Sequence, residues 1–234
     1  SLPLHSGYTF RTRAILKAQQ AAGMEVRAIT GLRHTADGPD REEIDGLSFY
    51  RTRGEANGPV GLREWREIGR LASSIVELCG QWRPDVLHAH SPALCGEAAL
   101  RAAKRLGLPL VYEIRAFWED AAVSNGDGQE HSIKYQLTRA LENHVVAGAD
   151  HVVTICNGLR DDLISRGTTP ERITIVPNGV DLALFGKPLE RDMEFARSLG
   201  LGAKDTWGPV IGFIGSFYDY EGLDDLIAAM PALL

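Results

Sequence analysis

Residues 149–185 read ADHVVTICNGLRDDLISRGTTPERITIVPNGVDLALF, an order of residue types that spells strand, turn, helix, loop and strand. Residues 151–155 are a short run rich in β-branched side chains, which suits a strand buried on both faces. Asn157 is placed to cap a helix over 158–165, because its side-chain oxygen can accept from a free first-turn N–H. Gly167 stops that helix, and Thr169-Pro170 separates it from a second strand at 173–176. Pro177-Asn178-Gly179 breaks this strand at its C-terminal end, the end at which open parallel α/β sheets hold their ligands.

The same alternation extends in both directions. Residues 7–22 read as a glycine-bearing loop entering a helix that Gly23 stops, and 25–30 as a strand. Residues 31–61 are polar, with one strand at 47–52. In 62–82, Trp65, Ile68, Ala72, Ile75, Cys79 and Trp82 recur at spacings of 3, 4, 3, 4 and 3, which puts them on one face of a helix. Residues 86–90 and 108–114 are strands, separated by a helix over 92–106 that Gly107 ends. Residues 124–129 form an Asn/Gly/Asp loop before a helix over 131–148. Strands alternating with helices predict an α/β fold with a doubly wound, Rossmann-like parallel sheet. The GxGxxG fingerprint of the usual dinucleotide fold is absent.

The chain opens on what reads as the loop after a first strand. Near its other end, residues 209–215 read as a strand, 216–222 as a loop and 223–234 as a helix. One βα unit is smaller than the roughly 50 residues of an independent domain. The expected organisation is therefore a domain over 1–181, a linker over 182–206, and the start of a second domain at 207–234.

Composition excludes several classes. At 234 residues, 44% apolar and net charge −6, nothing global points to nucleic acid. No run approaches the roughly 18 apolar residues of a membrane span, and no signal peptide is visible. Cys79, Cys95 and Cys156 are too few and too scattered for a disulfide framework, so a cytoplasmic location is expected.

Three constellations carry chemistry. Gly7 opens GYTFRTR at 7–13, where backbone N–H groups at a helix start favour an anion and Arg11 and Arg13 add charge. The plainer alternative is a βα turn with two solvated arginines. In Asp85-Val-Leu-His-Ala-His90, His88 and His90 share a face, and only His90 sits at the strand's end. His90 thus either reaches the cleft or is a structural histidine, while His88 packs or caps. A metal site needs a third ligand, and the sequence offers none at useful spacing. In Glu113-Ile-Arg-Ala-Phe-Trp-Glu119, Arg115 stays protonated and is no general base. It either holds a phosphate or carboxylate, or pairs with Glu113 or Glu119. Arg63, Arg66 and Arg70 lie off the apolar face of their helix, as a solvated face or one that meets lipid phosphates. Tyr218 and Tyr220 can stack on a base or sugar, or cover their loop.

Val176-Pro-Asn-Gly-Val-Asp181, together with the order of these motifs, resembles family 4 (group 1) retaining glycosyltransferases. These have two facing Rossmann-like domains, the GT-B architecture. The resemblance implies the N-terminal, acceptor-side half of such a fold plus the first βα unit of the nucleotide-sugar half. It implies transfer of a hexosyl group from a nucleoside-diphosphate sugar to a saccharide or lipid-linked saccharide hydroxyl, without metal or other cofactor. It places His90, Glu113 and Arg115 in the catalytic region. Gly7, Tyr8, Arg11, Asn178, Gly179, Gly215, Ser216 and Glu221 fall on the substrate and donor side. Many members carry Thr-x-His where this chain has Glu113-x-Arg115, a pattern of some subgroups. The family's G-R-x-x-x-x-K-G loop here has Ser216 and Glu221 in place of the two cations that bind the diphosphate. The likeness extends to members of exopolysaccharide and exosortase loci, implying polysaccharide assembly in the cytoplasm or at the inner membrane face. Residues 1–234 alone are expected to be inactive, with an E-x7-E donor motif following Leu234. Two alternatives stay open: a nucleotide-sugar 2-epimerase of the same architecture, and a non-catalytic saccharide-binding module.

Overall fold

The four-stranded sheet at the centre of the fold grows from short apolar runs that alternate with helices. The computed structural model describes every residue except 1, 4–5, 35–37, 125–128, 202–209, 216, 218–220 and 234, and omits the side chains at 124 and 184. In chain order the elements are α1 (Gly7–Ala21), β1 (Arg27–Thr30), β2 (Arg41–Ile44), β3 (Leu47–Arg51), α2 (Leu62–Gln81), β4 (Leu87–His90), α3 (Ala93–Leu106) and β5 (Leu110–Ile114). There follow α4 (Trp118–Ser124), α5 (Ile133–Gly148), β6 (His151–Thr154), α6 (Asn157–Ser165), a 3-10 turn (Pro170–Arg172), β7 (Ile173–Ile175), α7 (Leu182–Phe185), α8 (Met193–Ser198) and α9 (Leu223–Leu233). They form two compact units, Ser1–Asn178 and Gly179–Leu234.

In the first unit β4, β5, β6 and β7 lie side by side, all parallel. Ala89 stands opposite Tyr112, and His90 opposite Glu113. Because side chains alternate along a strand, Leu110, Tyr112 and Ile114 enter one face while Glu113 enters the other. The first face is the main core, where Tyr112 meets Gly96 of α3 and Val145 of α5 and α3 packs against α2 and α5. α1 covers the second face, since its Thr12 and Gln19 reach His90 and His88. Helices thus cover both faces of the parallel sheet, as the alternation predicts.

Some expectations are corrected. The sheet is not one continuous run among the described residues: β1, β3 and β2 form a separate three-stranded sheet. In it β1 pairs parallel and β2 antiparallel with β3. β2, unforeseen in Arg41-Glu-Glu-Ile44, is half of a hairpin closed by Asp45-Gly46, at φ +56° and +68°, the positive pair a two-residue hairpin turn requires. α4 was unforeseen as well. Cys156, not Asn157, caps α6, and no side chain bonds the free amides there. On α2, Ile68, Ala72, Ile75 and Cys79 are buried as expected, but Trp65 is 60% exposed, since it lies in the helix's first turn.

In the second unit α9 forms where expected. The strand expected at 209–215 does not: residue 209 lies outside the described residues, and 210–215 carry no strand. A strand satisfies its backbone polar groups only through a neighbouring strand, and none is described in 179–234. Among the described apolar residues of this unit only Ala196 is buried, while Leu189, Ile214 and Phe217 are exposed. The loop residues Ser216, Tyr218 and Tyr220 lie outside the described residues. Among the described residues no helix is long and apolar enough to cross a membrane.

Candidate active site

Glu113 is the pivot of the C-terminal edge of the sheet. It is 1% exposed, so its charge persists only with partners. Arg115, two residues on and therefore on the same face, donates from Nε to Glu113 Oε1 at 2.7 Å. Arg11 of α1 donates from Nε to the same oxygen at 2.9 Å. Oε2 lies 3.3 Å from His88 Nε2 and 4.0 Å from His90 Nε2. Burial pushes the Glu113 carboxyl pKa up, but His88, His90 and the two guanidinium groups overcome it and hold the carboxyl well below the usual range.

Arg115 has a second set of partners. Its Nη1 donates to the Tyr8 carbonyl at 2.9 Å and to Thr12 Oγ1 at 3.0 Å, and its Nη2 reaches His90 Nδ1 at 2.7 Å. Tyr8 and Thr12 are one helical turn apart on α1, so both face the same guanidinium. A guanidinium only donates. Nδ1 of His90 must therefore be bare, and the neutral ring carries its proton on Nε2. Burial, then His88 and Arg115, push the His90 pKa down to about 3. The site holds a charged carboxylate, two guanidinium groups spent largely on protein acceptors, and a neutral imidazole that can donate to a hydroxyl.

Arg11 does more than meet Glu113. Its Nη2 donates to the Val176 carbonyl at 2.7 Å, and Nη1 to the Pro177 carbonyl at 3.1 Å and Asn178 Oδ1 at 3.0 Å. His90, Glu113, Arg115, Tyr8, Arg11 and Asn178 are thus joined in one network, with Gly7 at the first residue of α1. Gly179, Gly215 and Glu221 belong to the second unit. Sequence reasoning left His88 to packing; the structure turns it onto Glu113. Thr12 was missed, although its spacing from Tyr8 carried the signal. The third metal-ligand candidate that the sequence did not offer is Glu113, whose carboxylate lies with His88 and His90 nitrogens within 4.8 Å. Two guanidinium groups already neutralise that carboxylate, which makes it a poor partner for a divalent cation.

Of the two carboxylates offered to Arg115, it takes Glu113 and not Glu119. Glu119 Oε1 takes Arg166 Nη1 at 2.7 Å, and the Arg166 guanidinium lies 3.9 Å over the Phe117 ring. Glu119 also lines a cavity of about 300 Å³ with Trp118, Tyr135, Thr138, Arg33 and Lys134. Trp118 lies 6.4 Å, centroid to centroid, from Tyr8. Arg66 and Arg70 line a shallow groove beside Trp65 and Arg53, while Arg63 pairs with Glu64 at 2.7 Å.

A four-stranded parallel sheet covered by helices on both faces defines an α/β domain. Residues 6–179 match the glycosyl transferase 4-like domain, and the chain belongs to that family. It is 29% identical over 221 residues to a D-inositol 3-phosphate glycosyltransferase of Segniliparus rotundus, covering 91% of this chain and 46% of the relative. It is 34% identical over 214 residues to the protein of that name in Salinispora arenicola, covering 85% and 45%. The chain spans about half the length of these curated relatives. A sucrose-phosphate synthase from Thermosynechococcus elongatus shares the fold, with a TM-score of 0.72 at 18% identity over 96% of this chain and 54% of that one.

Proposed function

We propose that the intact protein is a retaining glycosyltransferase that moves a sugar from a nucleoside-diphosphate donor to an acceptor hydroxyl, in cell-surface or extracellular polysaccharide assembly. The observation that carries this reading is the network of His90, Glu113 and Arg115 at the strand ends, within a chain of this family. His90 donates from Nε2 to a sugar hydroxyl; Arg115 fixes the ring and Glu113 balances Arg115. Such a site works by positioning and charge placement, with no acid/base pair. Gly7 and Tyr8 at the start of α1 lie on the substrate side in this reading. Asn178, Gly179, Gly215, Ser216 and Glu221 are the donor-binding candidates of this reading.

The cavity beside Trp118 is our choice for the acceptor. Trp118 and Tyr135 offer ring faces to a sugar, and Arg33 and Lys134 suit an anionic group. The names of the relatives, which pair a polyol with a phosphate, favour an acceptor of that kind. We place the reaction in the cytoplasm. Exposed Val60 and Trp65 beside Arg63, Arg66 and Arg70 support peripheral contact with anionic lipid.

The test supplies the intact protein with nucleoside-diphosphate sugars and a panel of polyol phosphates and saccharides. Released diphosphate and the anomeric configuration of the product are followed by NMR. Retention, with kcat lowered at least tenfold in His90→Ala, is expected. A 2-epimer released without acceptor would make the protein an epimerase, and saccharide binding without turnover would make it a binding module.

A further inference from the structure

We infer that Arg11 is a positioning residue that fastens the segment by which the chain leaves its first unit to the carboxylate at the end of β5. The ladder of β7 ends with the Val176 amide donating to the Thr154 carbonyl at 2.8 Å. Pro177 has no N–H, and among the described residues the backbone bonds resume only where Phe185 bonds the Asp181 carbonyl. Between those points Arg11 gives residues 176–178 three side-chain hydrogen bonds. They take both terminal nitrogens of the guanidinium, while its Nε holds Glu113. The side chain is 11% exposed.

This geometry separates a clamp from an anion ligand. A guanidinium has five N–H donors in a fixed fork, and four are committed to protein acceptors here. An anion would find one free donor on Arg11. The fork spans acceptors on two elements far apart in sequence, which the point charge of a lysine cannot do. The clamp ends at Asn178, the last residue of the first unit. Arg11 therefore fixes the course of residues 176–178 at the end of the first unit and ties it to Glu113. The inference rests on these bonds and not on glycosyl transfer, and its readout is not activity.

The experiment measures backbone order parameters of Asn178, Gly179 and Val180 by NMR relaxation on the 234-residue chain, wild type against Arg11→Ala, Arg11→Lys and Asn178→Ala. Wild-type values near the rigid-backbone figure of about 0.85 are expected, falling below about 0.6 in Arg11→Ala. Arg11→Lys should behave like Arg11→Ala, because it restores charge without the fork. Asn178→Ala, which removes one acceptor of four, should fall between. Spectra of α2 and α3 unchanged from wild type would show that each variant folds. Overturning results are order parameters that stay high in a folded Arg11→Ala, or full recovery by lysine.

Discussion

Tyr112 and Glu113 are consecutive residues of β5, both essentially buried, and they serve opposite faces of one sheet. On the α1 face Glu113 is surrounded by basic groups: two guanidinium groups share one oxygen, and two imidazoles flank the other, although His88 Nε2 makes no hydrogen bond. On the α3–α5 face the Tyr112 hydroxyl, both oxygens of Glu142 and Oε2 of Glu119 have no hydrogen-bond partner among the described residues. Both regions remove carboxylates from water. The first supplies cations and keeps its carboxylate charged. The second supplies little, and burial pushes Glu142 up to about 7 and Tyr112 well above its usual value. What separates the candidate site from an ordinary buried polar patch is therefore the count of donors aimed at it.

Breaking the α1 side should have the largest effect. Glu113→Ala leaves Arg11 and Arg115 facing each other across a buried space. Removing one partner of a buried pair costs about 3–5 kcal/mol, and denaturant unfolding should show a loss of that size. Glu113→Gln keeps an acceptor oxygen and should cost about half as much. Equal stability of Glu113→Ala and wild type would mean that the guanidinium groups find other acceptors.

The unsatisfied side should answer to pH instead. Glu142 rises from an ordinary 4.5 to about 7, because burial opposes its charge, Glu119 adds repulsion, and Arg166 offsets them only in part. The folded state then binds a proton that the unfolded state has released. Its contribution to stability is fully present below pH 4.5 and is lost as pH rises through 7, a span on the order of 3 kcal/mol. Glu142→Gln removes the proton, so the difference in unfolding free energy between wild type and variant should change over that window and be flat above it. Parallel pH curves would place Glu142 at an ordinary pKa.

Packing around the same tyrosine gives a smaller effect. A Cβ on Gly96 would meet Val145 Cγ1 at 2.6 Å and Tyr112 Cε2 at 2.7 Å. Overpacking of this kind costs about 1–3 kcal/mol. Gly96→Ala should lower the unfolding midpoint accordingly, and a change near zero would show that α3 shifts freely off the sheet.

Much of this fold was legible because its signals are local. The β-branched runs 151–155 and 173–176, the apolar stripe of α2, and stops such as Gly107, at φ +64°, need no knowledge of the rest of the chain. β2 escaped because Arg41-Glu-Glu-Ile44 is charged, although Asp45-Gly46 before Leu47 was a hairpin signal in plain view. The strand expected at 209–215 has the right composition, but composition supplies no neighbour to pair with. In the site, His90, Glu113 and Arg115 could be placed at strand ends from the sequence. That Glu113 holds the arginines and turns His88 onto itself could not, because strand register and the docking of α1 decide it.

The last test, read in ring resonances and not in stability, addresses the tautomer assigned to His90. An imidazole that would titrate near 6.5 stays neutral down to about 3, because burial opposes its charge and His88 and Arg115 add to that. The folded state therefore takes up fewer protons than the unfolded state below pH 6.5, and this residue lowers stability as pH falls from there toward 3. Ring resonances of His90 should not move between pH 5 and 8, with the proton on Nε2 throughout. Arg115→Met removes both the donor at Nδ1 and the nearby positive charge, while Arg11 still balances Glu113. In that variant the His90 titration should rise toward 6.5, and Nδ1 becomes free to carry the proton. A wild-type ring that titrates near 6.5 would break the contrast between the two faces, since His90 would then carry a proton beside Arg115 that this geometry cannot hold.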